Sequence, residues 1–159
     1  MTEISFHFNA PDKFNHACRL LRKACNAGHR VSVVGPAAAL QQLDAALWTF
    51  SALDFIPHCF ADAPQTVQTK SAIVLGQVST SEAVSPARQM LVNLDNTVPD
   101  GFERFERVIE LVGTDEADRQ SARARWKHYA SRGYSMVRHD VSGASGVLTG
   151  SGPAGSPGN

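Results

Sequence analysis

The sequence predicts a single α/β domain, with a mostly parallel sheet, helices on both faces and a Rossmann-like topology without a nucleotide site. Three observations predict it. Short apolar runs recur along the chain, as the buried strands of a parallel sheet do. Segments with helical spacing of their apolar residues alternate with these runs, which is typical of strand–helix–strand units. The length of 159 residues fits one domain.

The predicted elements follow one another with recognisable boundaries. Strands are expected at 4–8, 30–34, 71–75, 90–94, 107–112 and 134–141, and helices at about 11–27, 37–48 and 115–132. Gly28 and Gly133 are expected to end the first and last helices, and Thr114 is the expected N-cap of the last one. Residues 51–70 are expected to form a long connection, and residues 102–105 one helical turn.

The composition excludes several classes of protein. Apolar residues make up 43% of the chain, and fifteen Lys and Arg residues balance fifteen Asp and Glu residues. This balance excludes a globally basic nucleic-acid coat and an acidic disordered activator. No apolar run approaches the roughly 18 residues of a membrane-spanning helix. Met1–Asn9 does not resemble a secretory signal, and three cysteines are too few for a disulfide scaffold, so a cytoplasmic protein is expected.

The composition changes abruptly near residue 142. From there to residue 159 the chain is rich in Gly, Ser, Pro and Ala, which bury too little apolar surface to offset the entropy of ordering. The sequence therefore predicts a folded domain over residues 1–141 and a disordered tail over residues 142–159.

Motifs for nucleotide, metal or nucleophilic chemistry are weak. A G-x-G-x-x-G spelling at 150–155 lies in the tail, whereas the fingerprint requires a strand-to-helix turn. The turn after the second strand has one glycine, Gly35, followed by Pro36, which lacks the amide that a phosphate needs. Cys18 and Cys25 lie on an apolar helix face and are interpreted as core rather than as metal ligands. We therefore expect no metal and no cofactor, and these motifs leave an enzyme open but give it no support.

The last helix carries an unusual concentration of positive charge. Between Arg119 and Arg138 there are six basic residues and no acidic one. Arg119, Arg123 and Lys127 are four residues apart, so they form one stripe, and Trp126 lies beside it. Such a surface suits an acidic peptide with a bulky end, or single-stranded nucleic acid bound by stacking. The plainer interpretation is that the helix dipole gathers the cations and that Trp126 is core.

A second segment concentrates aromatic residues. Trp48, Phe50, Phe55 and Phe60 lie at the end of the second helix and in the connection that follows. Aromatic residues in such a place form either a lid over the core or the anchor of an interface. From these residues alone the lid is favoured.

Three short motifs, in order, give the chain a resemblance. They are Leu43-Asp44-x-Ala46-Leu47-Trp48, then Phe55-Ile56-Pro57-His58, then Ala122-Arg123-x-Arg125-Trp126-Lys127-x-Tyr129 followed by Gly133-Tyr134. With the α/β pattern, over most of residues 1–138, they resemble the chi subunit of bacterial DNA polymerase III. That family often has tyrosine at the position of Trp126 and proline at the position of Ser51.

The resemblance implies a non-catalytic replisome adaptor. It would link the clamp loader, through the psi subunit, to the acidic tail of single-stranded-DNA-binding protein (SSB), and so reach single-stranded DNA indirectly. The residues carried over for the SSB-tail site are Arg119, Arg123, Trp126, Lys127, Gly133 and Tyr134. Those for the psi interface are Trp48, Phe55 and Pro57. Two other functions stay open: direct binding of single-stranded nucleic acid, and a nucleotide-dependent enzyme.

Overall fold

The computed structural model describes residues 2–49, 57–60, 63–76, 89–99 and 101–142. The strands in these ranges are β1 (Glu3–Ala10), β2 (Val31–Val34), β3 (His58–Phe60), β4 (Ile73–Gly76), β5 (Met90–Asn93), β6 (Arg107–Gly113) and β7 (Ser135–Asp140). The helices are α1 (Lys13–Asn26), α2 (Ala37–Thr49), α3 (Gln65–Lys70) and α4 (Glu116–Ser131), with a 3-10 turn over Phe102–Arg104. Phe55 and residues 143–159 of the predicted tail lie outside the described ranges.

The strands form one sheet in the order β3-β4-β2-β5-β6-β1-β7. Every neighbouring pair is parallel. The prediction of an α/β fold with a parallel sheet is therefore confirmed. Strands β3 and β7 are the two edges, and β7 is largely exposed.

Helices cover both faces of this sheet because the buried strands are apolar on both sides. In β2, Val31 and Val33 pack into a core with α1 and α2, whereas Val34 packs into a second core with α4. Strand β1 divides in the same way. Its Phe6 faces α4, and its His7 faces His16 of α1.

Two local predictions need correction. The expected connection over residues 51–70 contains β3 and α3. Periodicity misses them because a three-residue edge strand and a six-residue helix are too short to show a repeat. The N-cap of α4 is Asp115, not Thr114, because the Asp115 carboxylate accepts a hydrogen bond from the Asp118 amide. The helical turn expected at 102–105 is confirmed as the 3-10 turn.

Candidate functional site

Helix α4 is the element that carries most of the candidate site, and polar contacts fix its first turn. Asp118 accepts hydrogen bonds from the Gly113 amide at 2.6 Å and from Lys13 Nζ at 3.1 Å. The positive end of the helix dipole also interacts favourably with the carboxylates of the first turn. After the helix, Gly133 adopts φ of 80°, a conformation that glycine reaches without strain, and it directs the chain into β7.

A buried polar network fixes the middle of α4 against β6. Arg125 Nε donates to Glu110 Oε1 at 2.8 Å, and the Tyr129 hydroxyl donates to Glu110 Oε2 at 2.6 Å. Asn93 Nδ2 completes the set at 3.0 Å from the same carboxylate. Burial raises the pKa of Glu110, whereas Arg125 and the hydrogen bonds from Tyr129 and Asn93 act in the opposite direction. Burial and the neighbouring Glu110 also raise the pKa of Tyr129, so its hydroxyl stays protonated and donates.

This network changes the interpretation of the basic stretch from Arg119 to Arg138. Arg125 and Glu110 have side chains only 2% and 0% exposed, so Arg125 belongs to the core rather than to the charged surface. Counting signs along the sequence cannot reveal this pair, because Glu110 lies on a different element. Two features of the sequence do point to it. Glu110 interrupts an apolar strand, and Arg125 and Tyr129 are four residues apart on one helix face.

Beside the network, α4 and the edge of the sheet border an open pocket of about 480 Å³. Its lining residues are Phe6, Phe8, Asn9, Val112, Arg119, Ala122, Arg123, Trp126 and Arg138. They combine an apolar and aromatic floor with arginine side chains, and no carboxylate in the described part of the chain is among them. The pocket therefore suits a ligand that joins an apolar group to a negative charge.

The pocket arginines have different partners. Arg119 Nη2 donates to Asn9 Oδ1 at 3.0 Å. Arg123 Nη1 lies 3.4 Å from a carboxylate oxygen of Glu116, and both side chains are exposed. Arg138 lies over the rings of Phe8 and Trp126 instead.

The half-buried Trp126 serves both the core and the pocket. Its ring meets that of Phe6 edge to face, with centroids 5.1 Å apart, and it also lines the pocket wall. The two interpretations of this tryptophan, core and binding wall, are therefore compatible. Trp126 packs against the core that includes Phe6 and also lines the pocket.

Of the six residues predicted for the SSB-tail site, Arg119, Arg123 and Trp126 line the pocket. The other three do not. Lys127 is exposed and is not among the lining residues. Gly133 ends the helix, and Tyr134 packs against Phe102 with ring centroids 5.2 Å apart.

Sequence reasoning missed the residues that the sheet contributes to the pocket, mainly Phe8, Asn9 and Arg138. Strand alternation predicts that Phe6 and Phe8 share a face, as Met136 and Arg138 do. Only the parallel pairing of Phe6 with Arg138 brings those two faces together.

The second candidate surface lies at the other edge of the sheet. Trp48 is 58% exposed, and its ring centroid is 4.7 Å from that of His58. Asp44 lies next to His58, with 3.1 Å between Oδ1 and Nε2. Pro57 is half-buried directly before β3. The exposed Trp48 has the position that an interface anchor requires, whereas Phe60 packs against the core as a lid residue would.

Other possible sites receive structural explanations. A Cβ atom on Gly35 would lie 3.0 Å from Leu94 Cβ, so close packing accounts for this glycine without a phosphate. Burial raises the pKa of the Cys18 thiol to about 11, as expected for a core cysteine. The described residues contain no group of three or more His, Cys, Asp or Glu side chains arranged to hold a metal ion. No helix in the described ranges is long and apolar enough to span a membrane.

The fold and the pocket together define the class: an α/β protein with a pocket lined by arginine and aromatic side chains. Comparison with known proteins then gives the family. The model of the family "DNA polymerase III chi subunit, HolC" matches residues 1–137. The chain belongs to this family of replication accessory proteins.

Curated relatives agree with this assignment. The DNA polymerase III subunit chi of Pseudomonas aeruginosa is 32% identical over 144 residues, covering 87% of this chain and 96% of the relative. That of Haemophilus influenzae is 28% identical over 128 residues, covering 79% and 85%. Among solved structures, the C-terminal domain of the DEAD-box protein Dbp5 is similar, with a TM-score of 0.56 and 14% identity. It covers 87% of this chain and 89% of that domain, and the likeness is one of fold.

Proposed function

We propose that the pocket on α4 binds the acidic carboxyl-terminal tail of SSB, and that the surface around Trp48 binds the psi subunit of the clamp loader. The chain would then act as a non-catalytic adaptor between the clamp loader and SSB-coated DNA. The observation that carries the first part is the lining of the pocket. Arginine side chains surround an aromatic floor, which is what a peptide ending in an apolar residue and a free carboxylate requires.

Each pocket residue is expected to contact a different part of the peptide. The exposed pair of Arg123 with Glu116 is worth little, so the Arg123 guanidinium is free to exchange that carboxylate for the terminal carboxylate of a peptide. Trp126 provides a wall for the last apolar side chain. Arg119 and Lys127 attract the acidic residues that precede it, and such rim charges mainly increase the association rate. Gly133 and Tyr134 act indirectly, because Gly133 ends α4 and Tyr134 packs against Phe102.

Fluorescence anisotropy with a labelled acidic peptide ending in Pro-Phe tests the SSB-tail site. We expect salt-sensitive binding to the wild type, abolished by Arg123→Ala and only weakened by Arg119→Ala. Arg19→Ala, on the exposed side of α1, is the matched control and should bind normally. A folded wild type that does not bind the peptide contradicts the proposal. Equal losses from the two pocket variants contradict the division of roles.

Direct binding of single-stranded nucleic acid is the second candidate, since the pocket also joins guanidinium groups to aromatic rings. The net charge of zero opposes it, because neutralisation of phosphates drives such binding. A labelled oligothymidylate titrated at low salt, with no partner protein, separates the two. Micromolar binding that Trp126→Ala removes would favour nucleic acid over the peptide.

A further inference from the structure

We propose that Arg138, on the edge strand β7, is a carboxylate-binding residue of the pocket that contacts the bound acidic peptide directly. This inference rests on the proposed function and adds a binding residue from outside α4. It makes the site two-sided, with cations from the helix on one side and from the sheet edge on the other.

Aromatic rings hold Arg138 in place before any ligand arrives. Its guanidinium carbon lies 5.1 Å from the ring centroid of Phe8 and 5.8 Å from that of Trp126. Both distances are within the range of cation–π attraction. A residue on an exposed edge strand would otherwise be free to sample many rotamers, so the two rings reduce the entropy lost when it binds a ligand.

A guanidinium that stacks on a ring keeps its hydrogen-bond donors. Stacking occupies the face of the planar group, whereas the N–H bonds lie in its plane and point outward. In the described part of the chain the Arg138 side chain contacts these two rings and donates no hydrogen bond, so its N–H groups can form a fork that fits a carboxylate with two parallel hydrogen bonds. The guanidinium of Arg138 thus lies next to the aromatic wall at Trp126. A ligand with both an apolar group and a carboxylate is expected to bind there.

The partners of the other pocket arginines point the same way. Arg119 already donates to Asn9, and Arg123 lies beside the Glu116 carboxylate. For Arg138 the described contacts are with aromatic rings, and no described carboxylate lies within ion-pair distance. A carboxylate that meets Arg138 therefore displaces no internal anion, and the gain in hydrogen bonds is not offset by a lost pair.

The experiment compares Arg138→Ala, Arg138→Lys and Arg132→Ala in the anisotropy assay with the acidic Pro-Phe peptide. We expect Arg138→Ala to weaken binding about tenfold, as the loss of a charge-assisted hydrogen bond predicts. Arg138→Lys keeps the charge but loses the fork and the flat face, so we expect about threefold weaker binding. Arg132→Ala removes the same charge from the exposed end of α4, outside the pocket, and should change affinity less than twofold.

Peptide variants test whether the contact is with a carboxylate. One peptide has an amidated carboxyl terminus, and another has its last acidic side chain changed to the amide. If Arg138 binds a carboxylate, the effect of Arg138→Ala shrinks for the peptide that lacks that group and persists for the other. A reduced effect with either peptide supports the inference and identifies the carboxylate.

Three results would overturn it. Arg138→Ala could bind the acidic peptide as the wild type does, Arg138→Lys could match the wild type, or Arg138→Ala could weaken all peptides by one factor. If the wild type does not bind the acidic peptide, and its melting temperature equals that of Arg138→Ala so that both are folded, the proposed function is wrong. If Arg123→Ala abolishes binding and Arg138→Ala does not alter it, only the role of Arg138 is wrong.

Discussion

Replacing Arg125 by methionine should be among the most destabilising single changes in this protein, although Arg125 belongs to a basic stretch that looks like surface. The Arg125 side chain is 2% exposed, and its Nε lies 2.8 Å from Glu110 Oε1. Methionine fills a similar volume but leaves the Glu110 carboxylate buried without its cation. Removing one partner of a buried ion pair costs about 3–5 kcal/mol of unfolding free energy.

Removing the ion pair together with the Tyr129 hydroxyl should cost much less than removing Arg125 alone. In the triple variant Glu110→Met, Arg125→Met, Tyr129→Phe, no charge or hydroxyl is left without a partner, and Asn93 Nδ2 keeps the carbonyl of Thr97 at 3.0 Å. Apolar replacements of buried ion pairs are often neutral or stabilising. We expect the triple variant to be more stable than Arg125→Met by about 2 kcal/mol or more.

Urea unfolding followed by circular dichroism at neutral pH measures these differences, provided that the slope with denaturant is unchanged. Tyr129→Phe is the milder variant if Arg125→Met does not fold, and it should cost about 1.5–3 kcal/mol for the lost bond to a carboxylate. A cost below about 1 kcal/mol for Arg125→Met would refute the reasoning, because exposed pairs are worth that little. So would a triple variant no more stable than Arg125→Met.

The remaining predictions concern acid stability and the second surface. Burial and then the charges of His16, His139, Arg107 and Lys23 lower the pKa of His7 to about 3, below its unfolded value of 6.5, so stability should fall as the pH drops below 6.5. Between pH 6.5 and 5, His7 should lower the free energy of unfolding by at most about 2 kcal/mol. Urea unfolding should therefore show a smaller loss over this range in His7→Gln than in the wild type. Equal losses in the two proteins would contradict the role of His7. Trp48→Ala should abolish capture by the psi subunit in a pull-down and leave acidic-peptide binding unchanged; loss of both would indicate a folding defect instead.

Local pattern was sufficient for most elements and for part of the pocket. The apolar runs of β2, β4 and β5 have their pattern because both faces of these strands are covered, and this can be read from the sequence. The spacing of Arg119, Arg123 and Trp126 places them near one another on α4 whatever the rest of the chain does. Short edge elements escaped prediction, since β3 and α3 are stabilised by what they pack on rather than by a periodic pattern.

By itself, the sequence determined the α/β class, the helix that carries the pocket, and the charges and rings that this helix supplies. Tertiary structure decided which of the charges are exposed and what completes the pocket. Arg125 is buried because its partner Glu110 lies on β6, and Arg138 lines the pocket because β7 pairs with β1. Both outcomes depend on strand order, which local periodicity does not encode, because contacts between residues distant in sequence set it when the sheet assembles.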